Sequence, residues 1–459
     1  MALVGELELS SFDYTDPALV GERFHTAMSE LAAEGWLAAG PYGYVVLDRE
    51  AGEFFLRTRS AIFPGMKIAE LFDVSSGPLW EEMQRNILHV NGSDHTRLRS
   101  LVNPALTARA VERWRGAMRG FLDELFVPVA DAGSCEFVSA FARPYPSRTI
   151  ATVMGAPVSD APRLHHWSNW IQRQFDAASM MNERAGIEQA VQEFYEYARA
   201  LLAAHRENQA HPPDDLISTL LAATYRPADD EAADEMGGDA SDDVSGGSSD
   251  GSIATRGGGR PLAEKLSEEE CVNLVLNVLI GGVDTTQSQL AHAVRLLAEH
   301  PAQWDALVAD PSLAGAAVEE ALRYEPITPF TARITTEELT YRDVTFPADT
   351  IVMVCAFTGN RDLPGEGGDG GGHTARSPGT PWSPGADTFD ITVARPKARA
   401  LTFGAGVHYC LGANLARLEL EEALSFLARK MPRLRLDGEP VFESILGIYG
   451  LAELPIRFS

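Results

Sequence analysis

The chain has 459 residues, with 38 basic against 65 acidic side chains and a formal net charge of −27. That balance argues against nucleic acid and anionic membrane surfaces as partners and favours a basic docking partner. An apolar content of 45% with 22% charged residues belongs to a folded protein with a large core, and four scattered cysteines, none paired at metal-site spacing, fit a reducing compartment.

In chain order, the first eight residues show no basic segment followed by an apolar run. The most apolar stretch, residues 271–283, is too short to span a bilayer and holds Asn273 and Asn277. The expectation is a protein outside the membrane, in the cytoplasm. Residues 17–38 read as a helix with Phe24, Met28 and Leu31 on one face, and 43–47 as a strand. Asn91-Gly92 reads as a turn, with a helix opening at Ser93 or Asp94 as its cap. On that helix His95 and Arg99 are four apart, so two donors share a face and can grip a carboxylate, although a solvated basic face has the same spacing. Residues 108–225 are mainly helical in pattern, broken at prolines.

Residues 226–265 differ in kind: 229–250 carry nine acidic residues and no basic one, with Gly and Ser filling much of the rest. Such a segment cannot bury enough apolar surface to offset its ordering entropy and is expected to be a flexible insertion. Ser267 and Glu270 then form a capping box ahead of a long apolar run into Gly281-Gly282-Val283-Asp284-Thr285-Thr286. Each glycine inside a helix costs about 1 kcal/mol relative to Ala, so a pair asks for a reason such as close passage over a flat ligand. Glu320 and Arg323 are three apart on a further helix. A second insertion, rich in Gly and Pro, occupies 363–384.

The most telling stretch runs from Phe403 to Gly412, with Cys410 among glycines at the mouth of a helical pattern. A thiolate there is favoured by unpaired backbone N–H groups and the positive end of the helix dipole. Gly406 and Gly412, lacking Cβ atoms, let the backbone turn and a large flat ligand approach. A soft thiolate so held suits an iron porphyrin, where it favours O–O cleavage; the plainer reading is an inert buried cysteine at a turn.

Phe403, Gly406, His408, Cys410 and Gly412 fill F-x-x-G-x-H-x-C-x-G, which resembles the haem-binding signature of cytochromes P-450. H-x-x-x-R, G-G-x-D-T-T and E-x-x-R precede it in that family's order, so the resemblance covers nearly the whole chain and is closest to the soluble bacterial type. It implies a mainly α fold, a triangular helical single domain over 1–459 with a smaller β-rich region. It implies haem b (iron protoporphyrin IX) on Cys410, propionates held by His95, Arg99 and Arg333, and an acid–alcohol pair, Asp284 and Thr285, that relays protons. Glu320 and Arg323 are expected to be buried beneath the haem and completed by Arg361 as a scaffold. Trp80, Met83, Ile87, Ile280, Gly281, Ile327, Phe330 and Ile448 fall where the family lines its substrate pocket; Gln172, Phe175, Met180 and Met181 fall on its roof or are packing filler. The implied activity is that of a monooxygenase that activates dioxygen to hydroxylate or otherwise oxidise a small, largely apolar molecule. With no flavin or iron–sulfur domain legible, the electrons are expected from a ferredoxin and its reductase. A peroxide-dependent haem-thiolate oxidase and a non-catalytic haem-binding protein are the alternatives.

Overall fold

Helix-forming patterns decide most of the architecture, and the β structure gathers at one side of it. The computed structural model describes residues 1–208, 212–225, 264–362, 385–395 and 399–459. The second expected insertion, 363–384, lies outside the described residues, as does the first apart from Glu264–Lys265, which pairs antiparallel with Thr224–Tyr225 and closes its base.

The first helix, α1, is Gly21–Glu34, shorter than the expected 17–38, because Leu37–Gly40 (β1) leaves it to pair with Gly43–Val46 (β2). Phe24, Met28 and Leu31 are buried as their spacing predicts. In the five-stranded sheet the order is β1, β2, Ile351–Cys355 (β5), Phe330–Thr335 (β4) and Ala61–Ile62 (β3). The β2–β5 pair is parallel and β5–β4 antiparallel, with Arg333 opposite Val352.

Helix α2, Gly92–Val102, has Asn91 at its N-cap without a side-chain cap bond, so Ser93 and Asp94 lie in the first turn and do not cap it. Helices α3 (Ala161–Gln172) and α4 (Arg184–Glu207) lie over the next pair, α5 (Glu268–Gly282) and α6 (Asp284–Glu299). Almost every side chain from Cys271 to Ile280 is buried, as befits a helix apolar on all sides. Its start is fixed reciprocally: the Glu270 N–H donates to Ser267 Oγ (3.2 Å) and the Ser267 N–H to Glu270 Oε2 (2.7 Å).

The helical run breaks at Val283, between α5 and α6. The two glycines before it serve different ends. A Cβ on Gly282 would strike the Ile150 side chain, whereas nothing lies within 4 Å of one on Gly281. Only Gly281 therefore matches the expected need for open space; Gly282 lets another helix close in. Helices α7 (Ala314–Tyr324) and α8 (Ala413–Lys430) pack against each other and against α6 beneath this break. Among the described residues, no helix is long and apolar enough to cross a membrane.

Candidate active site

The cysteine loop is built by short-range bonds. The Cys410 N–H donates to the Phe403 carbonyl (2.9 Å) and the Tyr409 N–H to the Gly406 carbonyl (3.0 Å). Gly406 has φ +70°, and a Cβ there would come within 2.5 Å of the Leu56 carbonyl oxygen. Its absent side chain thus lets the backbone turn, as expected, and admits another stretch of this chain's backbone. Gly406→Ala is expected to lower stability by about 1–3 kcal/mol from the left-handed backbone alone, with the Leu56 clash in addition. The midpoint of chemical denaturation measures it. Gly412, at φ −85° with nothing near a would-be Cβ, carries no such constraint.

Helix α8 begins at Ala413, directly after the loop. Burial pushes the Cys410 thiol up, while the Gly412 N–H, Arg99, Arg417 and the Ala413 N–H pull it down. Burial wins.

Beside the loop, two histidines and two arginines converge from separate elements. His95 and Arg99 come from α2, Arg333 from β4 and His408 from the loop. The His95 and His408 ring centroids are 4.3 Å apart. Arg99 donates to the Tyr409 carbonyl (2.8 Å) and Arg333 to the Ala332 carbonyl (2.8 Å). His95 Nε2 and His408 Nδ1 are buried without a hydrogen-bond partner. Burial, joined by repulsion from Arg99, brings His95 down to about 4; burial alone brings Arg333 down to about 10. His408 falls to about 3 through burial and then through His95, Arg333, Arg99 and His89. Among the described residues no carboxylate pairs with any of the four. His95 and His408 are therefore neutral near neutral pH, and the cations are Arg333, buried, and Arg99, half-buried. A buried cation without a counterion is costly, so these two can take an anionic group.

At the helix break, Asp284 is buried and accepts from Ser168 Oγ (2.7 Å). Its other oxygen, Oδ1, has no hydrogen-bond partner. Burial pushes the carboxyl up to about 7. The Thr285 hydroxyl donates to the Gly281 carbonyl one turn back.

The expected scaffold has a different third member. Glu320 accepts from Arg323 (2.7 and 2.8 Å), from the Asp390 N–H (2.9 Å) and from Arg395 (2.8 and 3.3 Å). Arg361 turns instead to Asp387 (2.9 Å) and to the Tyr324 and Phe357 carbonyls. The reason is topological: 385–395 returns along α7 just before the cysteine loop, bringing Arg395 to Glu320. No spacing rule links residues 75 positions apart.

The expected pocket residues separate. Gly281 is accessible, whereas Met83 packs with Leu79, Met180 and Ile187, with Trp80 at the edge of that cluster. Phe330 sits among Phe12, Tyr14 and Phe24. Ile87 and Ile280 belong to the main core, joined where the Ile87 N–H donates to Asn277 Oδ1 (3.0 Å). The Tyr449 N–H, next in sequence to Ile448, donates to the Ile327 carbonyl (2.7 Å). Of the roof residues, Gln172 and Phe175 are half-buried and Gln172 donates to the Ile280 carbonyl; Met181 is exposed and Met180 is core.

Residues 37–312 and 309–363 match the family model described as Cytochrome P-450. The chain is 29% identical to the luteothin monooxygenase of Streptomyces thioluteus, over 98% of this chain and 96% of that protein. It is 31% identical to the cyclomarin C epoxidase of Salinispora arenicola, over 81% and 80% respectively. It also superposes on P450BioI, solved in complex with an acyl carrier protein ligated to hexadec-9Z-enoic acid. There the TM-score is 0.74 at 26% identity, covering 95% of this chain and 99% of that one. The chain therefore belongs to the cytochrome P-450 family. It is a haem-thiolate monooxygenase with the family's fold, haem-iron cofactor, substrate and redox partners. The residues present fit such a cofactor: a cysteine sulfur in a glycine loop, and beside it two arginines, Arg99 and Arg333, without carboxylate partners among the described residues, for acidic substituents.

Proposed function

We propose that this chain binds haem b through Cys410 and uses dioxygen with externally supplied electrons to hydroxylate or otherwise oxidise a small, largely apolar molecule. The observation that carries the reading is the cluster of His95 and Arg333, buried, with Arg99 and His408, half-buried, beside Cys410 and without carboxylate partners among the described residues. Those four hold the propionates, and Phe403, Gly406 and Gly412 shape the loop. When bound, the haem supplies the site at which dioxygen is reduced and an oxygen atom is passed to a substrate C–H bond.

The chain's own contribution above the haem is proton handling. Thr285 offers a hydroxyl, held by the Gly281 carbonyl, and Asp284 stands next to it in sequence as the proton donor. With its pKa raised to about 7, the Asp284 carboxyl is divided between both forms near neutral pH, so it can give up a proton and regain one. This acid–alcohol pair supports dioxygen with two external electrons over peroxide as the oxidant source. Electrons come from a ferredoxin and its reductase in the cytoplasm, and Glu320, Arg323 and Arg395 act as scaffold. Gly281, Ile327 and Ile448 are the pocket residues the reading retains.

The test is turnover of the purified holoenzyme with NAD(P)H, ferredoxin and reductase against turnover with hydrogen peroxide alone. Product only in the second case replaces the reading with the peroxide-dependent one. Thr285→Ala is expected to keep its haem while product per NAD(P)H falls roughly tenfold or more, the electrons ending in peroxide or water. Full coupling in that variant removes Thr285 from proton delivery.

A further inference from the structure

We propose that His165, on α3, is the outer station of the proton path, passing protons from solvent to Asp284 Oδ1, with Ser168 and Gln287 as positioning residues. The proposal rests on the reading of Asp284 as proton donor and adds the residue that recharges it.

Three observations carry it. First, the two oxygens of Asp284 are differently engaged. Ser168 Oγ donates to Oδ2 at 2.7 Å, which fixes the carboxyl plane, while Oδ1 is buried without a hydrogen-bond partner and lies 3.8 Å from His165 Nε2. Second, His165 and Ser168 are three apart, so one face of α3 presents both to the carboxyl. Third, His165 Nε2 is 3.1 Å from the Gln287 amide oxygen, and Gln287 is buried one turn beyond Asp284 on α6. An amide oxygen only accepts, so that bond places the imidazole hydrogen on Nε2, between Gln287 and Asp284. The other ring nitrogen is then the proton acceptor.

Exposure differs in the sense a relay needs. The His165 side chain keeps 19% of its surface accessible, against 9% for Asp284. The imidazole can take a proton from water at its second nitrogen and release the Nε2 proton to Oδ1. The ring begins and ends neutral in the other tautomer, the carboxylate becomes a carboxylic acid, and no charge is stranded between them.

The electrostatics favour that direction. His165 is lowered to about 4 by burial first, then by Arg143, with His166 adding to it and Gln287 opposing. Asp284 is raised to about 7 by burial, with Glu443 adding to it and Ser168, Arg143 and Arg173 opposing. A proton on the ring therefore moves downhill to the carboxyl.

The experiment compares His165→Phe, His165→Gln and Asp284→Asn with wild type, each as purified holoenzyme supplied with NAD(P)H, ferredoxin and reductase. Product formation is followed in H2O and in D2O, together with haem content. Beside turnover, the resting proteins are mixed rapidly with D2O. The infrared carboxyl band that disappears in Asp284→Asn is timed as it shifts on deuterium exchange.

The expected result is a fall of roughly tenfold or more in product formation for both His165 variants, with a larger solvent isotope effect, unchanged haem content and slower exchange of the band. His165→Gln keeps a donor for Gln287 without titrating. A wild-type rate and exchange time in that variant reduce His165 to a packing residue and overturn the proposal. The same variant decides the matter if His165→Phe fails to retain haem. A slow Asp284→Asn enzyme beside unimpaired His165 variants overturns the proposal while leaving Asp284 as donor. An unimpaired Asp284→Asn enzyme overturns the donor reading and the proposal with it.

Discussion

Replacing Cys410 with alanine is expected to abolish, not weaken, the strongly red-shifted absorption band of the reduced, carbon-monoxide-treated holoenzyme. The loss should be complete because no other cysteine can take its place. Cys355 is buried against Met28, Cys271 is buried in the first turn of α5, and Cys135 sits in a strand opposite Ile456. The loop itself should survive. Its bonds from the Cys410 N–H to Phe403 and from Tyr409 to Gly406 are backbone bonds, and alanine preserves them. Any bound haem would then show the spectrum of another ligand or of none. An unchanged red-shifted band in this variant excludes Cys410 as the iron ligand and, with it, the reading of the loop.

Glu320→Gln is expected to be the most destabilising change outside the loop. The wild-type carboxylate is buried and grips Arg323 and Arg395 through both oxygens. Arg323 continues to the Ala386 and Thr388 carbonyls, and Arg395 to those of Gly385 and Thr388. One carboxylate therefore pins the segment that leads into the cysteine loop onto α7. Removing its charge strands two arginines, and breaking a buried network of this kind costs about 3–5 kcal/mol. That is a large share of a total stability of about 5–15 kcal/mol, so haem retention should fall with it.

The pH dependence carries a sign that tests the same network. Burial alone would raise the Glu320 carboxyl, but Arg323 and Arg395, with the Asp390 N–H, hold it below the usual carboxylate range. A lowered folded pKa adds stability above the unfolded value of about 4.3, and that increment is lost as pH falls through the folded value. Urea denaturation from neutral to acid pH should show this loss in wild type and a flatter profile in Glu320→Gln. Equal profiles would mean that the carboxylate contributes nothing.

Some of this was legible in the residues because the forces concerned act within one or two helical turns. Ser267 and Glu270 cap α5 as their spacing predicts, the apolar run behind them is buried on all sides, and His95 with Arg99 rises from one face of α2. The cysteine loop, too, is closed by bonds spanning a few residues. Caps, periodicity and tight turns depend on near neighbours, and the sequence lists near neighbours directly.

What it could not list was which distant surfaces would meet in the interior. Arg395 reaches Glu320 because the chain returns along α7, and Arg361, equally basic, is left to Asp387. Gly406 is required by the carbonyl of Leu56, and Gly282 by Ile150. His165 meets Asp284 only because α3 lies over α6. The charge states follow the same rule: burial raises the Asp284 carboxyl and lowers the His165 imidazole, and neither shift follows from position along the chain. Residue types and local order thus determined the elements and the chemistry available. The partners of the buried charges, and the direction in which each titrates, were decided by the tertiary structure, because desolvation and pairing act through space and not along the chain.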